Sequence, residues 1–142
     1  MMVVDNHPDV YVANDGSVIA YRDAGTLYAS SLKRGRFYVD IWAHELGITK
    51  IKAWSSQIIN KGPVRLISDP YTLSKELLVE QCRQSYMVIS NGYIWRMCHN
   101  SKAKIIDRYH LKNEGAHFLW VRKGFVRIVS MKQYLGKRPW RV

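Results

Sequence analysis

The 142-residue chain has two cysteines, four prolines and few acids, and no apolar run near the roughly 18 residues a membrane span needs. The missing run excludes a transmembrane helix. The first residues carry Asp5, His7 and Asp9 where a signal peptide would place a basic flank and an apolar stretch, so a cytoplasmic, unsecreted protein is expected. Cys82 and Cys98 have no metal-ligand spacing, and a chain of this size can bury a core without a bridge. Both are therefore expected as reduced thiols. Gly35 and Gly47 stand alone, which excludes a Gly-rich phosphate loop, and no Ser sits between glycines as a nucleophile elbow requires.

Acidic residues are the scarcest relative to need. The chain has 22 Lys and Arg against 11 Asp and Glu, a formal charge of +11. Residues 1–95 hold ten basic against nine acidic side chains, whereas residues 96–142 hold twelve against two, Asp107 and Glu114. Like charges crowded into one region repel, so this surplus points to an anionic partner: a nucleic acid, DNA ahead of RNA, or an acidic protein surface. No membrane partner is expected.

Hydrophobicity of 47% with 23% charged residues indicates one globular domain, read as residues 1–136 with a basic tail at 137–142. The periodicity predicts an α+β fold in which antiparallel β-hairpins pack against two or three helices. N-terminal hairpins are read over 9–42, with turns at Asp15-Gly16 and Lys33-Arg34-Gly35 and a strand at Arg36–Trp42. The middle, 43–84, reads as helical. Ala43–Leu46 stops at Gly47, Thr49 caps a second helix bearing Ile51, Trp54, Ile58 and Ile59, and Asp69-Pro70 opens a third carrying Leu73, Leu77, Leu78 and Cys82. A basic C-terminal sheet is read over 86–130: an Asn91-Gly92 hairpin from Tyr86 to Met97, then strands at Lys104–His110, Ala116–Arg122 and Phe125–Ser130. Tyr11–Ile19 and Tyr86–Ile94 read alike, as a diverged duplication would leave them, and as any two hairpins sharing a turn type would.

Three constellations bear on function. Ala43, Gly47 and the polar stretch after Thr49 have the spacing of a helix-turn-helix, with Lys50, Lys52, Ser55, Ser56 and Gln57 toward the groove, and equally that of a plain helix connection. Cys98, His99, Asp107, His110, Glu114 and His117 are all of metal-ligand type within twenty residues. They lack an i, i+4 pair of histidines, and strands would send neighbours to opposite faces, so no metal or other cofactor is expected. Finally, Tyr93, Trp95, Tyr109, Phe118, Trp120, Phe125, Tyr134 and Trp140 interleave with basic residues, the composition of a surface that stacks bases while its cations meet phosphates. Most of these rings are expected in the core, with one or two of Tyr93, Trp95 and Trp140 exposed.

Tyr11-Val12-Ala13-Asn14-Asp15-Gly16-Ser17-Val18, Leu32-Lys33 and Gly35–Val39 resemble the small β module beside the nuclease domain of modular phage homing endonucleases. Ala43–Thr49 through Ile59–Gly62 resembles the helical DNA-binding module that accompanies it. The resemblance implies a phage-encoded protein and sequence-tolerant DNA contact through Lys33, Arg34, Arg36, Lys50 and Lys52. The family's nuclease motif, an Asp-His pair leading into a helix with a later Asn and His, is lacking. The charge distribution adds Arg96, Arg108, Arg122, Lys123, Arg127, Lys137, Arg138, Trp140 and Arg141 as nucleic-acid contacts. The expected function is a small nucleic-acid-binding protein without catalysis. An inhibitor or adaptor docking an acidic surface of a polymerase or defence nuclease is the alternative, and a metal-dependent nuclease is the third reading.

Overall fold

A computed structural model describes residues 6–131. In chain order its elements begin with β1 (Val10–Val12), β2 (Ile19–Asp23), β3 (Thr26–Ala29), α1 (Arg36–Leu46), β4 (Lys50–Ala53), β5 (Ile58–Lys61) and β6 (Val64–Ile67). They continue with α2 (Lys75–Gln84), β7 (Met87–Ser90), α3 (Trp95–Cys98), β8 (Lys104–Ile106), α4 (Arg108–Glu114), β9 (His117–Arg122) and β10 (Phe125–Ser130). Two mixed sheets result, ordered β10-β9-β1-β2-β3-β4 and β5-β6-β7-β8. The class is α+β in one domain, as expected. The strands are not all antiparallel, because β3 with β4, β6 with β7, and β7 with β8 pair in parallel across helical crossovers.

Strand alternation sets the layers. Val10, Val12 and Ile19 face Ile59, Leu66, Met87 and Ile89 in a core between the two sheets. The alternate residues Tyr11, Ala20, Leu27 and Ala29 pack on the other face against Val39, Trp42 and Ala43 of α1. On the far side of the second sheet, Ile67, Val88 and Ile105 meet Leu78 and Cys82 of α2 and Cys98 of α3. Leu111 of α4 closes one end of the central core.

Arg36–Trp42, expected as a strand, is helix. Val39, Trp42, Ala43 and Leu46 recur at helical spacing, and burying that stripe on the sheet outweighs the strand propensity of Phe37, Tyr38 and Ile41. Gly35, at φ 69°, starts the helix where a Cβ would fall 2.5 Å from Val18 Cγ1. The helix expected after Thr49 is two strands instead, so no helix-turn-helix forms. Ile51 packs toward α1, Trp54 and Ile59 with the central core, and Ile58 with the α2 side. A single helix could not deliver them to three different layers. Asp69-Pro70 opens only a 3-10 turn, Pro70–Thr72, and Ser74 is the cap of α2, accepting from Leu77 N at 3.2 Å.

The expected Asn91-Gly92 hairpin is also absent. Asn91 is buried and its side chain accepts from Asp69 N at 3.0 Å, while Ile94, Met97 and Cys98 turn into α3 to meet the α2 core. Gly92 does not have a positive φ; its place is set by Pro70, whose Cγ would lie 2.6 Å from a Cβ there. The strand expected over Lys104–His110 stops at Ile106, where Asp107 caps α4. The likeness of Tyr11–Ile19 to Tyr86–Ile94 therefore does not extend to structure. A different repetition does: β2-β3-α1-β4 and β5-β6-α2-β7 each run as a hairpin, a helix and a strand parallel to the second hairpin strand. Cys82 and Cys98, expected as free thiols, are joined in a disulfide, because α3 packs on α2 and brings their Cα atoms to 5.6 Å.

Candidate nucleic-acid interface

One buried carboxylate organises the site. Asp107 is 0% exposed; its Oδ2 accepts from the backbone N–H groups of Ile94 and Trp95, both at 3.0 Å, and its Oδ1 from Tyr109 N at 3.0 Å. These bonds join the start of α3 to the start of α4 and offset the cost of burying the charge. His110 Nδ1 lies 3.2 Å from Asp107 Oδ1 and accepts from Asp107 N at 3.2 Å in a capping box, leaving Nε2 for the cavity its ring lines. Tyr93 N donates to the Tyr71 hydroxyl at 2.9 Å.

The cavity has a volume of about 980 Å³ and is lined by Tyr93, Trp95, Arg96, Met97, Asp107, Tyr109 and His110. Tyr93, Trp95 and Tyr109 are 51%, 53% and 61% exposed. His110 lies between Trp95 and Tyr109, with edge-on ring contacts at 6.4 and 5.7 Å. The same stretch carries Arg96, Lys102, Lys104, Arg108 and Lys112, none of which forms an ion pair among the described residues. Its acids are Asp107, which is buried, and Glu114 at the end of α4, 3.5 Å from His117 Nε2, so the charge it turns to solvent is strongly positive in balance.

The other expected contacts are dispersed. Arg127 lies over the Trp120 ring at 5.1 Å on the outer face of β9 and β10, beside exposed Phe125 and Lys123. Arg122 bonds to Asp9 and is occupied in holding β9 to the N-terminal segment. Lys50 and Lys52 lie on β4, at the opposite edge of that sheet from β10, and not on a recognition helix. Arg36 pairs with Asp40 at 2.9 Å, Arg34 with Asp69 at 3.5 Å, and Lys33 is exposed beside them. Lys137, Arg138, Trp140 and Arg141 lie outside the described residues.

The structure thus places Arg96 on the aromatic rim, sets Arg108 next to Tyr109 at the start of α4 with its side chain against Gly16, and leaves the remaining predicted contacts apart. The sequence reading missed Asp107 as the organising residue, although Asp107-x-x-His110 ahead of Leu111 is a helix-start signature. Among the described residues, no three His, Cys, Asp or Glu side chains converge as a metal site requires. No described helix is long and apolar enough to cross a membrane. Comparison with known protein families, with curated proteins and with solved structures finds no match to this chain.

Proposed function

We propose that this is a small nucleic-acid-binding protein of the cytoplasm, without a catalytic role and with DNA ahead of RNA as its partner. The observation that supports this reading is the α3–β8–α4 segment. Five cations there lack ion pairs among the described residues, of its two acids Asp107 is buried and Glu114 lies beside His117, and three exposed rings border one cavity. Phosphates neutralise such a field by releasing counterions, and exposed rings offer stacking surfaces that an ordinary solvated face does not need. The test is a salt titration of binding to duplex DNA, single-stranded DNA and RNA side by side. Affinity should fall steeply with salt, and Arg96→Ala or Arg108→Ala should each reduce the log–log slope by about 0.9 if it removes one phosphate contact. Binding that is absent, or indifferent to salt, rejects the reading.

A second reading, an adaptor docking an acidic protein surface, draws on α1. Phe37 is 71% exposed and Ile41 44%, with Leu32, Lys33 and Arg34 close in sequence. Phe37→Ser would abolish such docking and leave nucleic-acid affinity unchanged.

A further inference from the structure

We propose that the cavity bordered by Tyr93, Trp95 and Tyr109 takes an unpaired base, the flanking phosphates of the same strand lying against Arg96 and Arg108. The inference rests on the nucleic-acid reading and specifies its substrate: single-stranded or locally unpaired strand, not intact duplex. Single exposed rings are common on protein surfaces, but three around one concavity of about 980 Å³ form a binding-site surface. A paired base shows the grooves only its edge, so a concave aromatic site engages a base face only after the base leaves the stack.

The rim is also built in advance. Backbone bonds to the two oxygens of Asp107 hold Trp95 at the start of α3 and Tyr109 in the first turn of α4, and the Tyr71 hydroxyl holds Tyr93. The His110 ring lies between two of the aromatic side chains, and its Nε2 faces no protein partner among the described residues, which leaves a polar group for a base edge. The aromatic faces decide against an acidic peptide. Their negative quadrupoles repel carboxylates and favour the flat, polarisable face of a base, while the surrounding guanidinium groups serve phosphate.

The experiment measures binding of the full chain to one sequence as single strand, as blunt duplex and as duplex with a single-base bulge, with 2-aminopurine at the unpaired position. Single strand and bulge should bind more tightly than blunt duplex, with a change in 2-aminopurine emission. Tyr109→Ala and Trp95→Ala should each cost roughly 5- to 150-fold for the unpaired substrates, and Tyr109→Phe should retain affinity. The salt slope should stay unchanged in these ring variants, and thermal melts establish that they fold. Equal affinity for all three forms, unaffected by the ring variants but still salt-dependent, overturns the base pocket and leaves the nucleic-acid reading intact. Absence of binding to any of them overturns both. Poly-glutamate that binds as tightly, and loses affinity with Tyr109→Ala, assigns the rim to an acidic polypeptide and overturns the proposal.

Discussion

Gly16 lies directly against the side chain of Arg108: a Cβ at position 16 would stand 2.8 Å from both Cδ and Nη1 of the arginine and 3.0 Å from the Asn91 carbonyl oxygen. The turn between β1 and β2, in the nearly charge-balanced first two thirds of the chain, therefore supports a cation of the basic last third.

Gly16→Val should damage both stability and binding. At φ 70° a β-branched residue costs about 1–3 kcal/mol, and the new methyl groups displace the Arg108 guanidinium. Gly25→Val is the control, since Gly25 has φ 80° but nothing within 4 Å of its Cβ position. It should lower the melting temperature by strain alone and leave affinity intact. Equal affinity in the two variants, measured well below melting, would show that Arg108 does not contact the ligand.

What could be read from the sequence follows from the range of the interactions. The hairpins β1–β2 and β9–β10 declare themselves locally, through alternation and a turn at Asp15-Gly16 or Lys123-Gly124, and both form. Helix α1 was concealed because its aromatic and β-branched content favours strand, while its helical stripe acquires meaning only with a sheet to cover. Ile51, Trp54 and Ile58 mimic a helix face because residues sent to different layers can keep the same spacing. At the site, composition located the aromatic and basic stretch and Tyr93 and Trp95 are exposed, but Tyr109 and Phe125, expected in the core with most of these rings, are exposed as well, because the helices and strands that carry them turn those positions outward. The linkage that shapes the cavity spans twelve and thirteen residues from Asp107 to Trp95 and Ile94, beyond the reach of periodicity.

Asp9 joins three strands. Its carboxylate accepts from Val121 N at 2.8 Å and from the Arg122 guanidinium, and pairs with Arg22 at 3.3 Å. Asp9→Ala should destabilise by about 1.5–3 kcal/mol in urea unfolding, since it removes charge-assisted bonds from two partly buried arginines and the acceptor of Val121 N. Arg122→Ala should likewise lower stability and barely move the salt slope of nucleic-acid binding. A slope reduced as much as by Arg96→Ala would return Arg122 to the contact surface.

His117 gives the fold a dependence on acidity. Burial lowers its pKa below the usual histidine value, an effect larger than the opposing pull of the Gly115 carbonyl, which accepts from Nδ1 at 2.9 Å, and of Glu114. The unfolded chain therefore binds the proton more readily than the folded one, and stability rises with pH across the window between the two values. Stability should be full above the unfolded pKa of about 6.5 and fall as the pH drops below it toward the lower folded value. Melting temperatures taken from pH 7.5 to 5 should show the decline, and His117→Asn, which keeps a donor for the Gly115 carbonyl, should flatten it. An unchanged profile in the variant would assign the acid sensitivity to other groups.

The Cys82–Cys98 bond fastens α2 to α3, and α3 carries Trp95, Arg96 and Met97 of the aromatic cavity. Closing a loop with a sequence separation of 16 residues restricts the unfolded chain by an amount worth about 3 kcal/mol in the chain-entropy account. Replacing both cysteines by alanine should lower the urea midpoint accordingly. It should also weaken binding to single strand more than binding to duplex, because the loosened element is the one that positions the rings. Both cysteines are 1% exposed in the folded state, so an attacking thiolate cannot reach the sulfurs without opening the α2–α3 contact. Glutathione at reducing poise should therefore leave the native bond intact for far longer than it does in urea, so a bonded pair is compatible with the cytoplasmic location proposed above. Protein unfolded without reductant should show no thiol reactive toward an alkylating reagent, and two after reduction. Two reactive thiols before reduction would mean the pair is not bonded, and the difference between single-strand and duplex binding on replacing the cysteines should then vanish.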